Sequence, residues 1–428
     1  MRLPVAAVIL LFALSILADL YIWLDIRQGK ARSRWSWSDR YAVSSFICLI
    51  FLTVTVCMPR RGLDGGVYAV MWMLTAYLSI YIPKILYCLF SIVGRIPCIF
   101  GAKRIRWTRY VGLALAIAGF AGVWYGITVT RHKTQTVDLT LESDRIPKAF
   151  DGYRMVQISD LHLGTWGDDT TFISDLVDSI NGMKPDLIVF TGDIVNQKSE
   201  EMKPFIAELS RLKAKDGVYS ILGNHDYGDY VDWPDEAAKK SNLDLLKKYQ
   251  KEAGWKMLNN DHDFIYRSNG TSKDSIAIIG VENWGEPPFG QYGKLGVAYP
   301  NDSVRSLNDN NFKILLTHNP EHWIREVRHK SNIDISLSGH THAMQMSANA
   351  FGRRWSPSAF RYQTWGGFYT DDNNGKIEDF GNPTTSDGLT RSLDRPSLYV
   401  NIGAGEVAMP YRLGNSNPEI TLITLKKK

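Results

Sequence analysis

Cysteine is scarce in this sequence. Only four of its 428 residues are cysteines, and all of them lie before residue 99: Cys48, Cys57, Cys88 and Cys98. The long remainder of the chain therefore has no disulfide and no thiolate metal ligand. This excludes a disulfide-stapled scaffold and a cysteine zinc site in that part, and it is compatible with any redox compartment.

A strong net charge is also absent. The formal charge is +5 for 428 residues, and much of it comes from basic loops between apolar stretches, so we expect no nucleic-acid binding. The mean hydropathy of −0.17 averages two unlike parts, which meet near Thr130. A chain of this length is expected to form at least two domains. We predict an apolar region over residues 1–130 and a globular domain over residues 135–428.

Four apolar stretches are long enough to cross a bilayer, which takes about 20 helical residues. They cover residues 4–24, 41–58, 67–83 and 110–127. Pro83 interrupts the third and leaves open a kink, an extension to Val93, or an end followed by an interfacial segment. A cleaved signal peptide is the alternative for the first stretch. Because three more stretches follow it, we predict four membrane-spanning helices.

Basic residues are concentrated in two of the connecting loops. The loops after the first and third stretches hold Arg27, Lys30, Arg32, Arg34 and Arg40, and Arg95, Lys103, Arg104, Arg106 and Arg109. The opposite side holds fewer: Arg2, Arg60, Arg61, Arg131 and Lys133. Since basic loops are retained in the cytoplasm, we predict an inner- or plasma-membrane protein whose globular domain is extracytoplasmic.

Asp19 is an ionisable residue inside the first stretch. Such a residue is a functional candidate by default, because charge is costly in lipid. It lies near the end of the stretch, and the sequence suggests no partner for it within the membrane. We therefore interpret Asp19 as reaching the membrane interface.

After residue 135 the chain alternates between short strands and amphipathic helices. The predicted strands are apolar and rich in β-branched residues, as in strands buried on both faces: residues 155–159, 187–191, 218–222, 276–281, 313–317, 333–338, 398–402 and 419–425. Residues 371–395 are polar and are predicted to form an exposed loop. The pattern is typical of an α/β domain in which two sheets pack face to face with helices outside.

Five short polar blocks follow these strands: Asp160-Leu-His162, Gly192-Asp193, Gly223-Asn224-His225-Asp226, Thr317-His318 and Gly339-His340-Thr341-His342. Sites in such folds form beyond the carboxyl ends of the strands, so we expect the blocks to converge. Together they offer two Asp, one Asn and four His as metal ligands, with His225 in addition. Mixed carboxylate and imidazole ligands suit Mn, Fe or Zn.

Local geometry suggests how these side chains meet. Alternation along an extended segment would place Asp160 and His162 on one side and Leu161 toward the core, and the same applies to His340 and His342. Asp193 would stand at a strand tip, where its carboxylate could bridge two ions. The four remaining histidines lie in polar surroundings and are interpreted as surface residues: His132, His262, His322 and His329.

In this order the blocks resemble those of the calcineurin-like metallophosphoesterase superfamily, and the whole arrangement resembles its membrane-anchored phosphodiesterase branch. The resemblance covers about residues 155–425, including Ser-Leu-Tyr-Val-Asn-Ile-Gly-Ala-Gly at 397–405. It implies a four-layered αββα sandwich, here preceded by an all-α transmembrane region of about four helices.

The resemblance also implies the roles of the residues. One metal would be held by Asp160, His162 and His342, and the other by Asn224, His318 and His340. Asp193 would bridge the two, and His225 would approach the scissile phosphate. Many relatives continue the last block with Gly-Gly-Gln, whereas this chain has Ala343-Met344-Gln345, whose side chains restrict the backbone.

Two metals about 3.5–4 Å apart neutralise phosphate oxygens and lower the pKa of a shared water. We therefore predict a membrane-anchored dinuclear-metal phosphoesterase that hydrolyses phosphodiester or pyrophosphate bonds through a metal-bridging hydroxide. His225 is expected to donate a hydrogen bond or a proton to the leaving group. Asp226 is interpreted either as fixing the tautomer of His225 or as a plain turn cap.

The substrate is expected to be a phosphate ester. Residues 353–369 form an insert rich in Arg and aromatic residues, interpreted either as a cap that admits a lipid or lipid-linked phosphate or as a packed surface loop. A UDP-2,3-diacylglucosamine-type pyrophosphohydrolase is an alternative that would need a cytoplasmic active site. A membrane sensor or scaffold with a non-catalytic domain is another, but a decayed site would be expected to lose ligands. The sequence leaves the oligomeric state open.

Overall fold

A computed structural model describes residues 5–27, 36–59, 66–268, 273–287, 290–299, 309–350, 353–372, 374–381 and 389–428. The chain divides into two compact units, Met1–Val129 with Ala408–Tyr411, and Thr130–Val407 with Arg412–Lys428. Six of the loop residues used above for orientation lie outside the described residues: Arg2, Lys30, Arg32, Arg34, Arg60 and Arg61.

The described part of the first unit is helical. Its helices are α1 (Val5–Arg27), α2 (Trp37–Cys57), α3 (Val67–Val93), α4 (Ile96–Ile99) and α5 (Trp107–Thr128). All but α4 are long and apolar enough to cross a membrane, which confirms the four predicted spans. Of the alternatives left open at Pro83, the extension to Val93 is correct, because α3 continues through this proline.

The interpretation of Asp19 as a residue without a membrane partner is wrong. Its carboxylate accepts hydrogen bonds from the hydroxyls of Tyr41 at 2.6 Å and Tyr81 at 2.7 Å, and it pairs with the ammonium of Lys84 at 2.8 Å. These partners lie on α2 and α3, far from Asp19 in sequence. A buried charge of this kind is tolerated because it is paired and hydrogen-bonded.

The second unit contains four further helices and seventeen strands among the described residues. The helices are α6 (Thr171–Gly182), α7 (Ile206–Leu209), α8 (Glu236–Glu252) and α9 (Leu295–Ala298). The strands are β1 (Gln135–Ser143), β2 (Arg154–Ile158), β3 (Leu187–Phe190), β4 (Val218–Ser220), β5 (Lys256–Met257), β6 (Asp261–Ser268), β7 (Lys273–Gly280), β8 (Phe312–Leu316), β9 (Ile335–Ser338), β10 (Met346–Ala350), β11 (Arg353–Trp355), β12 (Gly367–Asp371), β13 (Ile377–Gly381), β14 (Leu389–Ser392), β15 (Ser397–Val400), β16 (Leu413–Gly414) and β17 (Glu419–Lys427).

Two seven-stranded sheets form the centre of this unit. Their strand orders are β14-β1-β17-β2-β3-β4-β5 and β13-β12-β15-β9-β8-β7-β6, and a small sheet has the order β11-β10-β16. The strands that precede the polar blocks run parallel: β2, β3 and β4 in one sheet, and β7, β8, β9 and β15 in the other. Their carboxyl ends therefore lie at one edge of each sheet.

Apolar residues fill three layers between and around the sheets. The inner layer joins side chains of both sheets, among them Leu139, Val189, Ile278 and Leu337. One outer layer packs α6 and α8 against the first sheet, and the other packs α9 and residues 323–327 against the second. This is the predicted four-layered arrangement, and the strand pattern is sufficient to predict it because these strands are apolar on both faces.

Two smaller predictions for this unit are wrong. Within residues 371–395, which were predicted to be an exposed loop, the described residues form β13 and β14 at the outer edges of the two sheets. An edge strand has one unpaired side in water, so its composition is polar and resembles that of a loop. His322, interpreted as a surface residue, is 1% exposed, and its Nδ1 lies 3.0 Å from the hydroxyl of Thr317.

Candidate active site

The five polar blocks meet beyond the carboxyl ends of the parallel strands. Asp160 follows β2, Asp193 follows β3 and Asn224 follows β4, while His318 and His340 follow β8 and β9 of the facing sheet. All seven predicted ligands lie close together: two groups that could hold a metal ion contain six of them, and Asn224 contacts the second group through His318. A third group links the first two, because it joins His162 and Asp193 to His225. Sequence reasoning therefore placed them correctly relative to the strands.

The local backbone differs from the extended segments that we predicted. Asp160, His162, His340 and His342 have φ values of 53°, 44°, 77° and 52°, all in the left-handed region. The N–H groups of Asp160 and His162 still bond to the carbonyls of the chain leaving β3, at 2.9 Å and 3.2 Å. For residues other than glycine this conformation costs about 1–3 kcal/mol each and is typical of functional sites. Left-handed turns, and not strand alternation, direct these side chains into one place.

The first cluster consists of Asp160, His162 and His342. The Nε2 atom of His342 lies 3.2 Å from Asp160 Oδ1 and 3.0 Å from the Nε2 atom of His162. All three residues are almost completely buried. The Nε2 atoms of His162 and His342 and the Oδ1 atom of Asp160 therefore lie close enough together to be ligands of one metal ion.

The second cluster consists of Asp193, His318 and His340, with Asn224 beside it. His318 Nε2 lies 3.1 Å from Asp193 Oδ2, 3.1 Å from Asn224 Oδ1 and 3.2 Å from His340 Nδ1. The same Asp193 oxygen is 3.6 Å from His162 Nε2 in the first cluster. Asp193 therefore stands between the two clusters.

The donor set of these clusters fits divalent metal ions. His162 and His342 direct two ring nitrogens at each other, next to a carboxylate oxygen of Asp160, so one metal ion could take all three atoms as ligands. Burial, with His225 and His342 nearby, holds the pKa of His162 well below its ordinary value, and burial lowers the pKa of His340 to about 3. Burial alone would raise the pKa of Asp160, but His342 beside it holds that pKa below its ordinary value. Burial alone would lower the pKa of His318, but Asp193 beside it raises that pKa to about 9, so a metal ion at this nitrogen would have to displace a proton.

His225 lies beside the clusters and is held by the backbone. Its N–H donates to Asp193 Oδ1 at 2.8 Å, and its ring Nδ1 is 2.7 Å from the carbonyl oxygen of Asn196. Because a carbonyl can only accept, the Nδ1 atom carries a proton and the tautomer of His225 is set by Asn196. The predicted contact with Asp226 is replaced by this one.

Asp226 instead holds the backbone of the site together. Its buried carboxylate accepts the N–H groups of Asp193 at 3.0 Å, Ile194 at 2.9 Å, Val195 at 3.3 Å and Gly223 at 2.8 Å. Interpreting it as the residue that fixes His225 is therefore wrong. Asp226 ties the Asp193 loop to the Asn224 loop.

Two tyrosines at the site were missed by sequence reasoning. The Tyr362 hydroxyl lies 3.0 Å from His340 Nε2. The Tyr230 hydroxyl accepts from Asn224 Nδ2 at 2.9 Å, and its ring stacks on His225 with 4.4 Å between centroids. Tyr362 belongs to the insert that the sequence did single out, whereas Tyr230 follows the third block by only a few residues and had no distinguishing pattern.

A glycine turn after β15 supports the first cluster from behind. The N–H of Ala404 donates to the carbonyl of Ser159 at 2.9 Å, and that of Gly405 to the carbonyl of Asp160 at 2.8 Å. A Cβ atom at residue 405 would lie 1.8 Å from the carbonyl oxygen of Leu161. Only glycine permits this close approach.

The insert is divided between the core and the surface. Phe368 and Tyr369 are buried in β12, and Trp365 is 6% exposed, so this half is not a cap. Phe360 is 86% exposed and Trp355 46% exposed. Ala343, Met344 and Gln345 all adopt left-handed backbone conformations, which is strained for residues that have side chains.

Comparisons with known proteins agree with this geometry. Residues 153–344 match the family model "Calcineurin-like phosphoesterase", and residues 1–131 match "Probable Calcineurin-like phosphoesterase, transmembrane domain". The chain is 29% identical over 316 residues to "Uncharacterized metallophosphoesterase YkuE" of Bacillus subtilis, which covers 73% of this chain and 92% of that protein. It is 27% identical over 325 residues to "Transmembrane protein with metallophosphoesterase domain" of Danio rerio, covering 74% of this chain and 63% of that protein.

A third relative is named for its activity. The chain is 25% identical over 334 residues to "UDP-2,3-diacylglucosamine pyrophosphatase LpxG" of Chlamydia muridarum, covering 69% of this chain and 91% of that protein. The two family matches account for both the apolar helices and the sheets that carry the clusters. The chain therefore belongs to the calcineurin-like metallophosphoesterases that carry a transmembrane region, and it is a phosphoester hydrolase.

Proposed function

We propose that this chain is a dinuclear-metal enzyme that hydrolyses phosphodiester or pyrophosphate bonds. Asp160, His162 and His342 would hold one ion, and Asn224, His318 and His340 the other. The observation that carries the proposal is the position of Asp193, whose Oδ2 atom lies within 3.6 Å of nitrogen atoms in both clusters. A nitrogen and oxygen donor set favours Mn, Fe or Zn.

When bound, two such ions supply charge neutralisation of the phosphate and a water of lowered pKa. The protein residues act around the ester. His225 already carries a proton on Nδ1, so it can donate from Nε2 only as the imidazolium. Burial lowers the pKa of His225 and so disfavours that form, and the negative charge of a phosphate ester next to it would be needed to stabilise it. His225 would then donate to the oxygen of the leaving group.

Tyr362 is placed to donate to the phosphate. A metal at His340 Nδ1 requires the lone pair of that atom, so the ring proton sits on Nε2 and donates to the Tyr362 oxygen 3.0 Å away. The Tyr362 hydroxyl proton is then left for another acceptor, and a phosphate oxygen is a strong one. This would add one oriented donor to the site.

Membrane attachment and exposed aromatics support a lipid or lipid-linked phosphate as the substrate. Phe360 and Trp355 of the insert are exposed, and such rings favour the headgroup region of a bilayer. The named pyrophosphatase relative supports a pyrophosphate bond in a nucleotide-linked lipid as the second candidate, which requires a cytoplasmic active site. The loop charges favour an extracytoplasmic one.

Metal analysis of the purified full-length protein tests the dinuclear site. We expect two transition-metal ions per chain and hydrolysis of bis(p-nitrophenyl) phosphate. Asp193→Asn should lose both ions and the activity, whereas Asp169→Asn, at an exposed position outside the clusters, should keep them. A wild-type protein with one ion, or an Asp193→Asn protein with two, contradicts the proposal.

Two further measurements distinguish the substrates. Protease digestion of sealed inverted and right-side-out vesicles reports the side of the globular domain, and an inward-facing domain favours the nucleotide-linked lipid. Phe360→Ala should lower activity on phospholipid vesicles more than on bis(p-nitrophenyl) phosphate. Equal losses on the two substrates would contradict a lipid-contacting role for the insert.

A further inference from the structure

Asp25, two residues before the end of α1, is surrounded by arginines from a different part of the first unit. Its Oδ1 atom lies 2.5 Å from Arg95 and 2.6 Å from Arg104, and its Oδ2 atom lies 3.0 Å from Arg109. Tyr87 also donates to Oδ2, at 2.8 Å. Three guanidinium groups therefore converge on one carboxylate, which we call the arginine cluster.

The charge of the arginine cluster is not balanced within this part of the chain. One carboxylate offsets one of the three positive charges, and the sequence has no acidic residue between Asp64 and Asp138. An ion pair whose only role is to tie helices together needs one cation for each anion. This cluster has two more cations than that.

The three arginine side chains remain partly open. Side-chain exposure is 31% for Arg95, 19% for Arg104 and 44% for Arg109, against 2% for Asp25. Arg104 uses Nη1 for Asp25 and Nη2 for Ser91, and each of these nitrogens carries a second hydrogen. A guanidinium has five donors in a planar fork that suits the oxygens of phosphate.

Exposed apolar residues lie between and beside the three arginines in the sequence. Ile99 and Phe100, at the end of α4, are 79% and 83% exposed, and Trp107 and Tyr110, at the start of α5, are 64% and 74% exposed. Aromatic and apolar side chains beside basic ones at the end of a spanning helix are typical of the headgroup level of a bilayer. Inorganic phosphate would make no contact with these apolar side chains, whereas the acyl chains of a phospholipid would pack against them.

We propose that the arginine cluster of the transmembrane unit binds the phosphate of an anionic phospholipid headgroup, with Ile99, Phe100 and Trp107 contacting its acyl chains. The phosphate would replace the missing negative charge beside Asp25. Basic pockets between spanning helices hold anionic headgroups in this way. The proposal concerns the first unit alone and does not depend on the reaction proposed above.

Native mass spectrometry of the full-length protein in a neutral detergent provides the test. Dioleoylphosphatidylglycerol should bind more tightly than dioleoylphosphatidylcholine, and Arg104→Gln or Arg95→Gln should weaken the anionic lipid roughly fivefold for each arginine removed. Arg106→Gln is the matched control, because it removes the same charge from the same loop at an exposed residue. Equal affinity for the two lipids, or equal effects of Arg104→Gln and Arg106→Gln, would overturn the proposal.

Asp25→Asn separates lipid binding from a purely structural ion pair. It removes the competing negative charge, so phosphatidylglycerol should bind more tightly, whereas a structural role predicts a less stable protein with no gain in binding. Arg104→Lys keeps the charge and serves as the folding control, with binding between that of wild type and Arg104→Gln.

Inorganic phosphate alone should not raise the thermal midpoint of the protein. A rise equal to that with phosphatidylglycerol would overturn the assignment to a lipid.

Discussion

The carboxylate of Asp226 accepts the backbone N–H of Asp193 at 3.0 Å. It thereby holds the residue that stands between the two clusters through its main chain, while the Asp193 side chain remains free to face the histidines. Asp226 makes three more bonds of the same kind. A buried acceptor that serves four amide donors is a structural support for the site.

Asp226→Asn tests this support. An amide offers one acceptor oxygen and presents an NH₂ group to the remaining donors, and each buried donor left without an acceptor costs about 1–3 kcal/mol. We expect a lower thermal midpoint by tryptophan fluorescence and a lower metal content. Asp168→Asn, at an exposed residue outside the clusters, should leave both unchanged. A wild-type midpoint and metal content in Asp226→Asn would contradict the role.

His225→Ala should lower turnover by about 10²-fold or more, as is usual for acid–base residues, while both metals are retained. If His225 protonates the leaving group, the loss should be smaller for p-nitrophenol, which leaves readily as an anion, than for an alkyl alcohol. His329→Ala, at an exposed histidine, is the control. Normal turnover, or equal losses with both leaving groups, would exclude the proton-donor role.

Tyr362→Phe removes only the hydroxyl that lies 3.0 Å from His340. A hydrogen bond to a charged group contributes about 1.5–3 kcal/mol, so kcat/KM should fall at least about tenfold. Metal content should stay at the wild-type level, with Tyr266→Phe, which removes a hydroxyl from an exposed tyrosine outside the site, as the control. Loss of metal in proportion to activity would mean that Tyr362 only positions His340.

His322 predicts a pH dependence of stability. Burial lowers the pKa of His322 to about 4, below its ordinary value in the unfolded chain, so the folded state takes up its proton at lower pH than the unfolded state. The stabilisation is present above about pH 6.5 and is lost as the pH falls toward 4, amounting to roughly 3 kcal/mol.

Chemical denaturation between pH 7 and pH 4 measures this effect. His322→Gln should flatten the decline in the free energy of unfolding across that interval. His329→Gln changes an exposed histidine whose Nδ1 lies 3.3 Å from a carboxylate oxygen of Asp371, so it separates the acid sensitivity of that pair from that of His322. An unchanged slope in His322→Gln would show that other groups cause the acid sensitivity.

Much of the fold could be predicted because its signals are local. Each membrane helix is one continuous apolar stretch, and each buried strand is a short apolar run, so length and composition were enough. The predicted ends of helices were less accurate where a capping interaction sets the first helical residue. Helix α2 starts at Trp37, before the predicted residue 41, because Ser36 and Asp39 form a reciprocal cap.

The sequence by itself determined the chemistry of the site. The residue types in the five blocks, and their positions after parallel strands, are sufficient to bring seven candidate metal ligands close together. The tertiary structure alone decided how they are held: through left-handed turns at Asp160 and His340, and through a carbonyl at Asn196 that orients His225. It alone paired Asp19 with Lys84 and Asp25 with three arginines. Such contacts join residues far apart along the chain. The local sequence around one residue does not indicate which distant side chain will contact it, so these pairs could not be predicted.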